Sequence, residues 1–430
     1  MRRLLDILVV AVACLAAVNC TTGSAPVADR YVSVGPDGQF RIGDHTYNYI
    51  GTNFWYATIL ASEGRGGDRA RLARELDTLQ ALGLTNLRIM VGGDGRENLP
   101  HHIMPVLQTA PGVYNDTLLA GLDYLLAELE RRDMKAVLYL NNSWEWSGGY
   151  GAYLEWAGIG DCPDPADGYR EYCDYVAQFV VCDSAKAMAA NHVRNIVSRT
   201  NGVTGRPYSE SPAIMAWQIA NEPRAFCSDS LHKEAFARWI ASTAELIKSI
   251  DGNHLVSTGS EGLYGCEVDL DLWERIHRDP NIDYGIIHVW PYNWRWVDSA
   301  TVVTGVDSAC IYALEYITPH ARIMRSAGKP LVIEEFGYPR DGMAIALGSP
   351  TTGRDRFYEY MLNLTGPDGP VAGCNFWGWG GFAEAAMSEW HPGQPYTADP
   401  AQEPQGLYSV FASDTSTIKI ISKTLKKKHL

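Results

Sequence analysis

Eight short apolar runs recur along this chain, each followed by a stretch of helical spacing. The runs are residues 49–55, 86–91, 135–140, 213–220, 254–258, 284–290, 330–336 and 372–379. Apolar runs this short, bounded by turn formers, read as strands buried on both faces. Between them, Leu72, Leu76 and Leu79 fall on one helical face, with Asp68 placed to cap its start and Gly83 its end. Leu118, Leu122, Leu125 and Leu129 repeat the pattern after Asp116, and Phe236, Ile240, Thr243 and Ile247 do so before Asp251-Gly252. Parallel strands cannot be joined by tight hairpins, so each pair needs a helical crossover. Eight such alternations predict an α/β fold, a (β/α)8 TIM barrel. The alternative is an open doubly wound sheet. The first strand-to-helix turn, WYATILASEGRGGD, lacks the G-x-G-x-x-G pattern that such a sheet uses to hold a dinucleotide.

The ends carry other signals. Residues 31–50 alternate and contain Pro-Asp-Gly at a turn, which predicts an N-terminal β-hairpin. Arg2 and Arg3 precede an apolar run, 7–18, that is too short for a membrane span and reads as a targeting segment. Cys20 follows LAAVN and opens a polar stretch, an arrangement that resembles a bacterial lipoprotein signal with Cys20 as the lipidated residue. The expected organisation is a signal peptide at 1–19, a flexible linker at 20–30, one catalytic domain at 31–423 and a solvated basic tail at 424–430. The expected location is outside the cytoplasm, secreted or as an outer-surface or periplasmic lipoprotein, with Cys20 the sole membrane attachment.

At 430 residues and 46% apolar composition, the chain can bury one large core. It has 36 Lys and Arg against 50 Asp and Glu, a net charge of −14, and no basic run long enough to follow a phosphate backbone. Nucleic acid is therefore not an expected partner. With 13 Trp and 23 Tyr, the composition fits a neutral ligand held on aromatic faces. Seven cysteines follow Cys14 and Cys20. In an exported chain, disulfides are expected among Cys162, Cys173, Cys182, Cys227, Cys266 and Cys310, with Cys374 left as a free thiol. No Cys/His spacing has the pattern of a zinc site, and neither metal nor cofactor is expected.

Two runs end in carboxylates. The fourth, in WQIANEPRAF, stops at Asn221-Glu222; the seventh, in PLVIEEFGYPRD, stops at Glu334-Glu335. In a closed barrel the tips of strands four and seven face each other across the mouth. Residues 143–183, 338–353 and 380–406 form long loops on that same face, where barrel active sites lie. One protonated and one ionised carboxyl are what glycoside hydrolysis requires. Alternation along the seventh strand sends Glu334 and Glu335 to opposite sides, so only one is expected to face the mouth.

The motifs LRIMVGG, WQIANEPR, IHVWPYNW, VIEEFGYPRD and CNFWGW occur in this order at strand ends two, four, six, seven and eight. Together they resemble the endo-β-1,4-mannanase branch of glycoside hydrolase family 5, over nearly the whole chain from Tyr31 to about Ile421. The resemblance implies that Glu222 is the general acid/base and Glu335 the nucleophile of a retaining mechanism. It implies that Arg88 bonds the nucleophile, that Asn221 contacts the sugar 2-hydroxyl and that Arg224 serves the leaving-group side. His288 matches the histidine at the sixth strand end, and Trp377 matches the sugar platform. Trp290 stands where many members carry tyrosine, and Asn141 or Asn142 where many carry histidine. Trp144 is a candidate platform for a further sugar. The expected activity is hydrolysis of internal β-1,4-mannosidic bonds in mannan, glucomannan or galactomannan by a monomer. The alternatives are a β-1,4-glucan endohydrolase of the same fold, an exo-acting mannosidase or mannobiohydrolase, and a non-catalytic glycan-binding lipoprotein.

Overall fold

The computed structural model describes residues 30–384 and 387–428. Cys20 and the expected signal and linker up to residue 29 lie outside the described residues. The eight expected strands are β1 Tyr49–Asn53, β2 Asn86–Met90, β3 Lys135–Tyr139, β4 Ile214–Gln218, β5 Leu255–Ser257, β6 Gly285–Val289, β7 Leu331–Phe336 and β8 Gly373–Phe376. Every residue in them is buried, as strands covered on both faces must be. They pair in parallel in the order β5-β4-β3-β2-β1-β8-β7-β6. The seam between β5 and β6 is bridged by Asp283 N donating to Val256 O (2.9 Å) and His288 N to Glu261 O (3.1 Å). The result is a (β/α)8 barrel.

One principal helix follows each strand: α1 Arg69–Leu82, α2 Asp116–Arg131, α3 Asp183–Val197, α4 Ser230–Ile250, α5 Leu270–His277, α6 Val306–Ala327, α7 Thr352–Asn363 and α8 Thr415–Lys428. Asp68 caps α1 by accepting from Arg71 N, and Gly83 ends it in the left-handed region at φ 86°. Asn115 caps α2, with Asp116 already inside its first turn.

The expected N-terminal hairpin is a three-stranded antiparallel meander, Val32–Val34, Phe40–Ile42 and His45–Thr46. It plugs the bottom of the barrel: Phe40 is fully buried and meets Tyr284 edge-on at 5.2 Å. Residues 424–428 of the expected basic tail belong to a helix. Its apolar positions draw it onto the body, so α8 runs to Lys428, with Ile421 and Leu425 buried and Lys428 Nζ donating to Asn363 O at 3.0 Å. The loop at 143–183 folds into short helices around its own aromatic core, where Tyr150 and Phe179 stack at 4.1 Å.

The disulfide expectation is corrected. All seven thiols from Cys162 to Cys374 are free. Several are turned to partners within their own loops: Cys227 Sγ donates to Asp229 Oδ2 (3.0 Å), Cys162 Sγ to Pro163 O (3.6 Å), and Cys182 Sγ sits 3.3 Å from Ser184 Oγ.

Two histidines behind the barrel give the fold an acid limit. His277 Nδ1 donates to Trp273 O (2.8 Å) and its Nε2 meets Thr258 Oγ1 (2.9 Å). His320 Nδ1 donates to Tyr316 O (2.7 Å), and its Nε2 accepts from Leu263 N (3.0 Å). Burial depresses them to about 3 and about 4. The unfolded chain takes up these protons near 6.5, so the stabilising contribution is present above that pH and falls as pH drops towards the folded values. Between pH 6.5 and 5 each histidine should withdraw about 2 kcal/mol of stability. Urea midpoints at pH 7.5 and 5.0 test this. The drop should shrink in His277→Asn; an unchanged drop would acquit His277.

Candidate active site

The mouth of the barrel is organised around Arg88, which is fully buried on β2. Its Nη1 donates to Glu335 Oε1 and to Asn53 Oδ1 (3.1 Å), its Nη2 to Asn221 Oδ1 (2.8 Å) and its Nε to Gln218 Oε1 (2.8 Å). The guanidinium also lies 4.6 Å from the Tyr139 ring centroid. One planar fork thus fixes the tips of β1, β4 and β7 relative to one another, a task its rigid donor geometry suits.

Glu334 departs from the alternation expected on β7. Its neighbour register breaks there: Ile287 pairs with Ile333, but His288 pairs with Glu335. Glu334 is the extra residue of a β-bulge, and the bulge turns both carboxylates inward. Glu334 lies below the mouth, 3.4 Å from Arg88 Nε, accepting from Gln218 Nε2 and from Tyr284 Oη (3.3 Å). Only Glu335 lines the open pocket.

Glu222 follows β4 in the left-handed region, at φ 48°. Its N donates to Gly259 O (3.0 Å), and its carbonyl accepts from Ser143 Oγ, so the unfavourable backbone is held from both sides. The carboxylate accepts from Trp144 Nε1 (2.5 Å). Trp144 was expected as a sugar platform; it lines the pocket, and its indole also holds Glu222. His288 Nδ1 stands 2.8 Å from Glu222 Oε1 and 3.2 Å from Glu335 Oε2. Both atoms facing Nδ1 are carboxylate oxygens, which assigns the ring proton to Nδ1. Burial holds the imidazole neutral. Trp290 Nε1 donates to Glu335 Oε2 (3.2 Å), filling the place of the missing phenol as a donor.

Desolvation raises both Glu222 and Glu335, and the charge of Glu222 adds to the rise at Glu335. Two such neighbours hold one proton between them. Arg88 and Trp290 favour the negative charge on Glu335, while Arg224 and Trp144 favour it on Glu222. Their oxygens, with His288, all lie within 4.8 Å of one another. Cys227, Asp229 and His232 form a second close group of ligand-type atoms, joined through Asp229 Oδ2 to Cys227 Sγ and His232 Nδ1.

The pocket encloses about 300 Å³ and is lined by Asn221, Glu222, Arg224, Trp290, Glu335 and Trp377, among others. Trp377 is 3% exposed, and its buried Nε1 has no protein partner among the described residues. Asn142 is spent on the scaffold, accepting from Asn221 Nδ2 (3.2 Å) and donating to Ser147 Oγ (2.8 Å). Asn141 is buried with both side-chain polar atoms unpartnered among the described residues. Arg224 Nε donates to Glu261 Oε2 (2.5 Å), and its guanidinium lies 5.5 Å from the Trp144 ring centroid.

Sequence reasoning passed over Glu261. It ends the fifth run in STGSEG, so the rule that found Glu222 could have found it. Desolvation brings it to about 7, against the pull of Arg224. Glu403, raised to about 8 by desolvation, comes from the loop after β8, where no sequence signal marked it.

This constellation can deliver a proton from one face of a bound sugar and an attacking oxygen from the other. A sequence model described as GH family 5 beta-mannosidase-like matches residues 29–429. The chain belongs to glycoside hydrolase family 5. Within that family it is similar to mannan endo-1,4-β-mannosidase 1 of Arabidopsis thaliana, at 29% identity over 82% of each chain. The crystal structure of a family 5 mannosidase from Rhizomucor miehei is 30% identical, covers 94% of this chain and 98% of its own, and superposes with a TM-score of 0.84. A structure of that mannosidase in complex with mannosyl-fructose superposes at 0.85. This family 5 chain is a glycoside hydrolase.

Proposed function

We propose that the chain cleaves β-1,4-mannosidic bonds of mannan, glucomannan or galactomannan by double displacement, with retention at the anomeric carbon. The observation that carries this is the closeness of Glu222 and Glu335, whose nearest oxygens lie within 4.8 Å. A close pair suits direct attack, whereas inverting enzymes separate their carboxyl groups by about 6.5–9.5 Å to hold a water molecule. Glu335, its charge balanced by Arg88, attacks the anomeric carbon while Glu222 protonates the leaving oxygen. Once Glu335 is esterified its charge is gone, the Glu222 pKa falls, and Glu222 takes a proton from the incoming water. Asn221, oriented by Arg88, is placed to meet the sugar 2-hydroxyl. Arg224 and Glu261 offer a charged edge to the leaving mannose. We further propose action outside the cytoplasm, on the signal-like segment at 1–19 and the candidate lipid anchor at Cys20, by a monomer.

Internal bonds are the target read from the sequence, and the endo-acting name of the Arabidopsis relative supports that mode. One observation favours release from chain ends. The pocket is walled by Pro400, Gln402 and Glu403 from the loop after β8, and by Trp146 from the loop after β3. Trp55 joins these walls, donating from Nε1 to Ala398 O (2.7 Å) and meeting Trp146 edge-on at 5.4 Å. Linear mannan with a cellulose control tests both points. An early fall in viscosity with a ladder of oligomers supports internal cleavage; steady release of one short sugar at constant viscosity supports the chain-end mode. A newly released α-anomer, seen by NMR, would sink retention.

A further inference from the structure

Resting on the acid/base reading of Glu222 above, we propose that Tyr172 is a positioning residue for this carboxyl, acting from the helix Tyr169–Val176 through the dipeptide Ser143-Trp144. Glu222 is gripped at both ends by these two consecutive residues. Ser143 Oγ donates to its carbonyl, and Trp144 Nε1 donates to its carboxylate Oε2 (2.5 Å). Ser143 N also donates to Asn221 O (3.1 Å), so the dipeptide runs alongside the chain that it holds. Tyr172 in turn grips the dipeptide at two points. Its Oη donates to Ser143 O (2.6 Å), the oxygen of the peptide that joins Ser143 to Trp144. Its ring stacks on the Trp144 indole, with centroids 6.1 Å apart and planes 16° from parallel. Phe226, in the loop that follows Glu222, meets Trp144 edge-on at 5.5 Å and Tyr172 at 6.2 Å. Only Tyr172 and Val176 are buried in the helix Tyr169–Val176, so Tyr172 is the point at which this surface helix reaches the site.

The consequence for Glu222 follows from the bond that Trp144 makes. An indole N–H on a carboxylate favours the charged form, and it also fixes which way the carboxyl faces. General acid catalysis depends on that aim, since a misplacement of about 1 Å can cost about a hundredfold in rate. Loss of the Tyr172 hydroxyl takes a donor from Ser143 O. Loss of the ring also takes away the surface on which the indole is stacked. Glu222 then holds its proton more tightly and presents it less well. The other groups facing Glu222 stay in place: Arg224 in its own loop, Arg88 on β2, Tyr139 on β3, Glu261 after β5, His288 on β6, Glu335 on β7 and Glu403 after β8.

The test measures kcat/KM against pH on linear mannan and on an aryl mannobioside with a good leaving group. Tyr172→Phe keeps the ring and loses the hydroxyl; Tyr172→Leu loses both. On mannan, where the leaving oxygen must be protonated, Tyr172→Leu should lose roughly ten- to a hundredfold and Tyr172→Phe roughly threefold. On the aryl substrate, which needs little protonation, both should lose less than about twofold. The basic limb, set by the proton on Glu222, should move to higher pH, and further in Tyr172→Leu than in Tyr172→Phe. In a Glu222→Ala background no carboxyl is left to place, so adding Tyr172→Phe should cost mannan hydrolysis nothing more. Tyr172→Phe carries all of these readings if Tyr172→Leu does not fold. Equal losses on both substrates with the basic limb unmoved would make Tyr172 a brace for the loop alone and overturn the proposal. So would a full further loss in the Glu222→Ala background, or an undiminished rate on mannan. A wild-type chain that cleaves neither substrate would count against the mannoside reading itself.

Discussion

Glu335→Gly is expected to lose activity by roughly ten-thousandfold or more, because no group remains to form the glycosyl-enzyme. Azide should restore part of it. The small anion can enter the space vacated by the carboxylate, beside Arg88 Nη1 and Trp290 Nε1, and attack from the same face. The product is then an α-mannosyl azide, inverted once. Glu222→Ala should behave differently. On mannan it should lose roughly a hundred- to ten-thousandfold, the usual weight of general acid catalysis. On an aryl mannobioside with a good leaving group, little protonation is needed and the glycosyl-enzyme should form and accumulate. Azide needs no base, so it should speed turnover and yield the β-mannosyl azide, inverted twice. Exchanged anomers would mean exchanged roles. Near-normal activity in Glu335→Gly would point to Glu334, although Glu334 lies below the mouth and does not line the pocket.

The alternation of strands and helices was legible because parallel barrel strands are covered on both faces, so each appears as a short, mainly apolar run. The caps of α1 were legible because Asp68 and Gly83 act through local chemistry. Glu222 and Glu335 stood out as charges placed at the tips of buried strands. The environment of Glu334 was hidden, since a bulge is a register between two strands and neither strand states it. The second task of Trp144 was hidden for a related reason: the long loop 143–183 brings its indole to Glu222, with Tyr172 and Phe226 packed around it. Glu403 arrives from a loop whose shape is set by the buried Asp399 carboxylate accepting from Gly406 N (2.7 Å) and Tyr408 N (2.8 Å). The cysteines misled because spacing along an exported chain suggests pairing, while pairing depends on side-chain approach in space.

Arg88→Met should combine a loss of catalysis with a loss of fold stability, and a second substitution should separate the two. Arg88 faces Glu334 and Glu335 together, and desolvation already raises both carboxyls against its pull. Removing the guanidinium raises them further. Glu335 must be ionised to attack, so the acidic limb of kcat/KM should move to higher pH, and the rate at neutral pH should fall by roughly a hundredfold or more. Stability should fall by about 3–5 kcal/mol, the usual cost of leaving a buried charge without its partner. Adding Glu334→Gln removes one of the two stranded carboxyls while keeping an acceptor for Gln218. The double variant should therefore regain part of the urea midpoint but none of the acidic-limb shift, because Glu335 still lacks its cation. Arg88→Lys should retain more of the limb position, since the charge is kept, yet lose the bonds that hold Asn221 and Gln218 in line. An acidic limb that stays in place in Arg88→Met would mean that Trp290 and His288 alone keep Glu335 ionised. Arg88 would then be a brace between β2, β4 and β7, with no direct hold on the charge of the nucleophile.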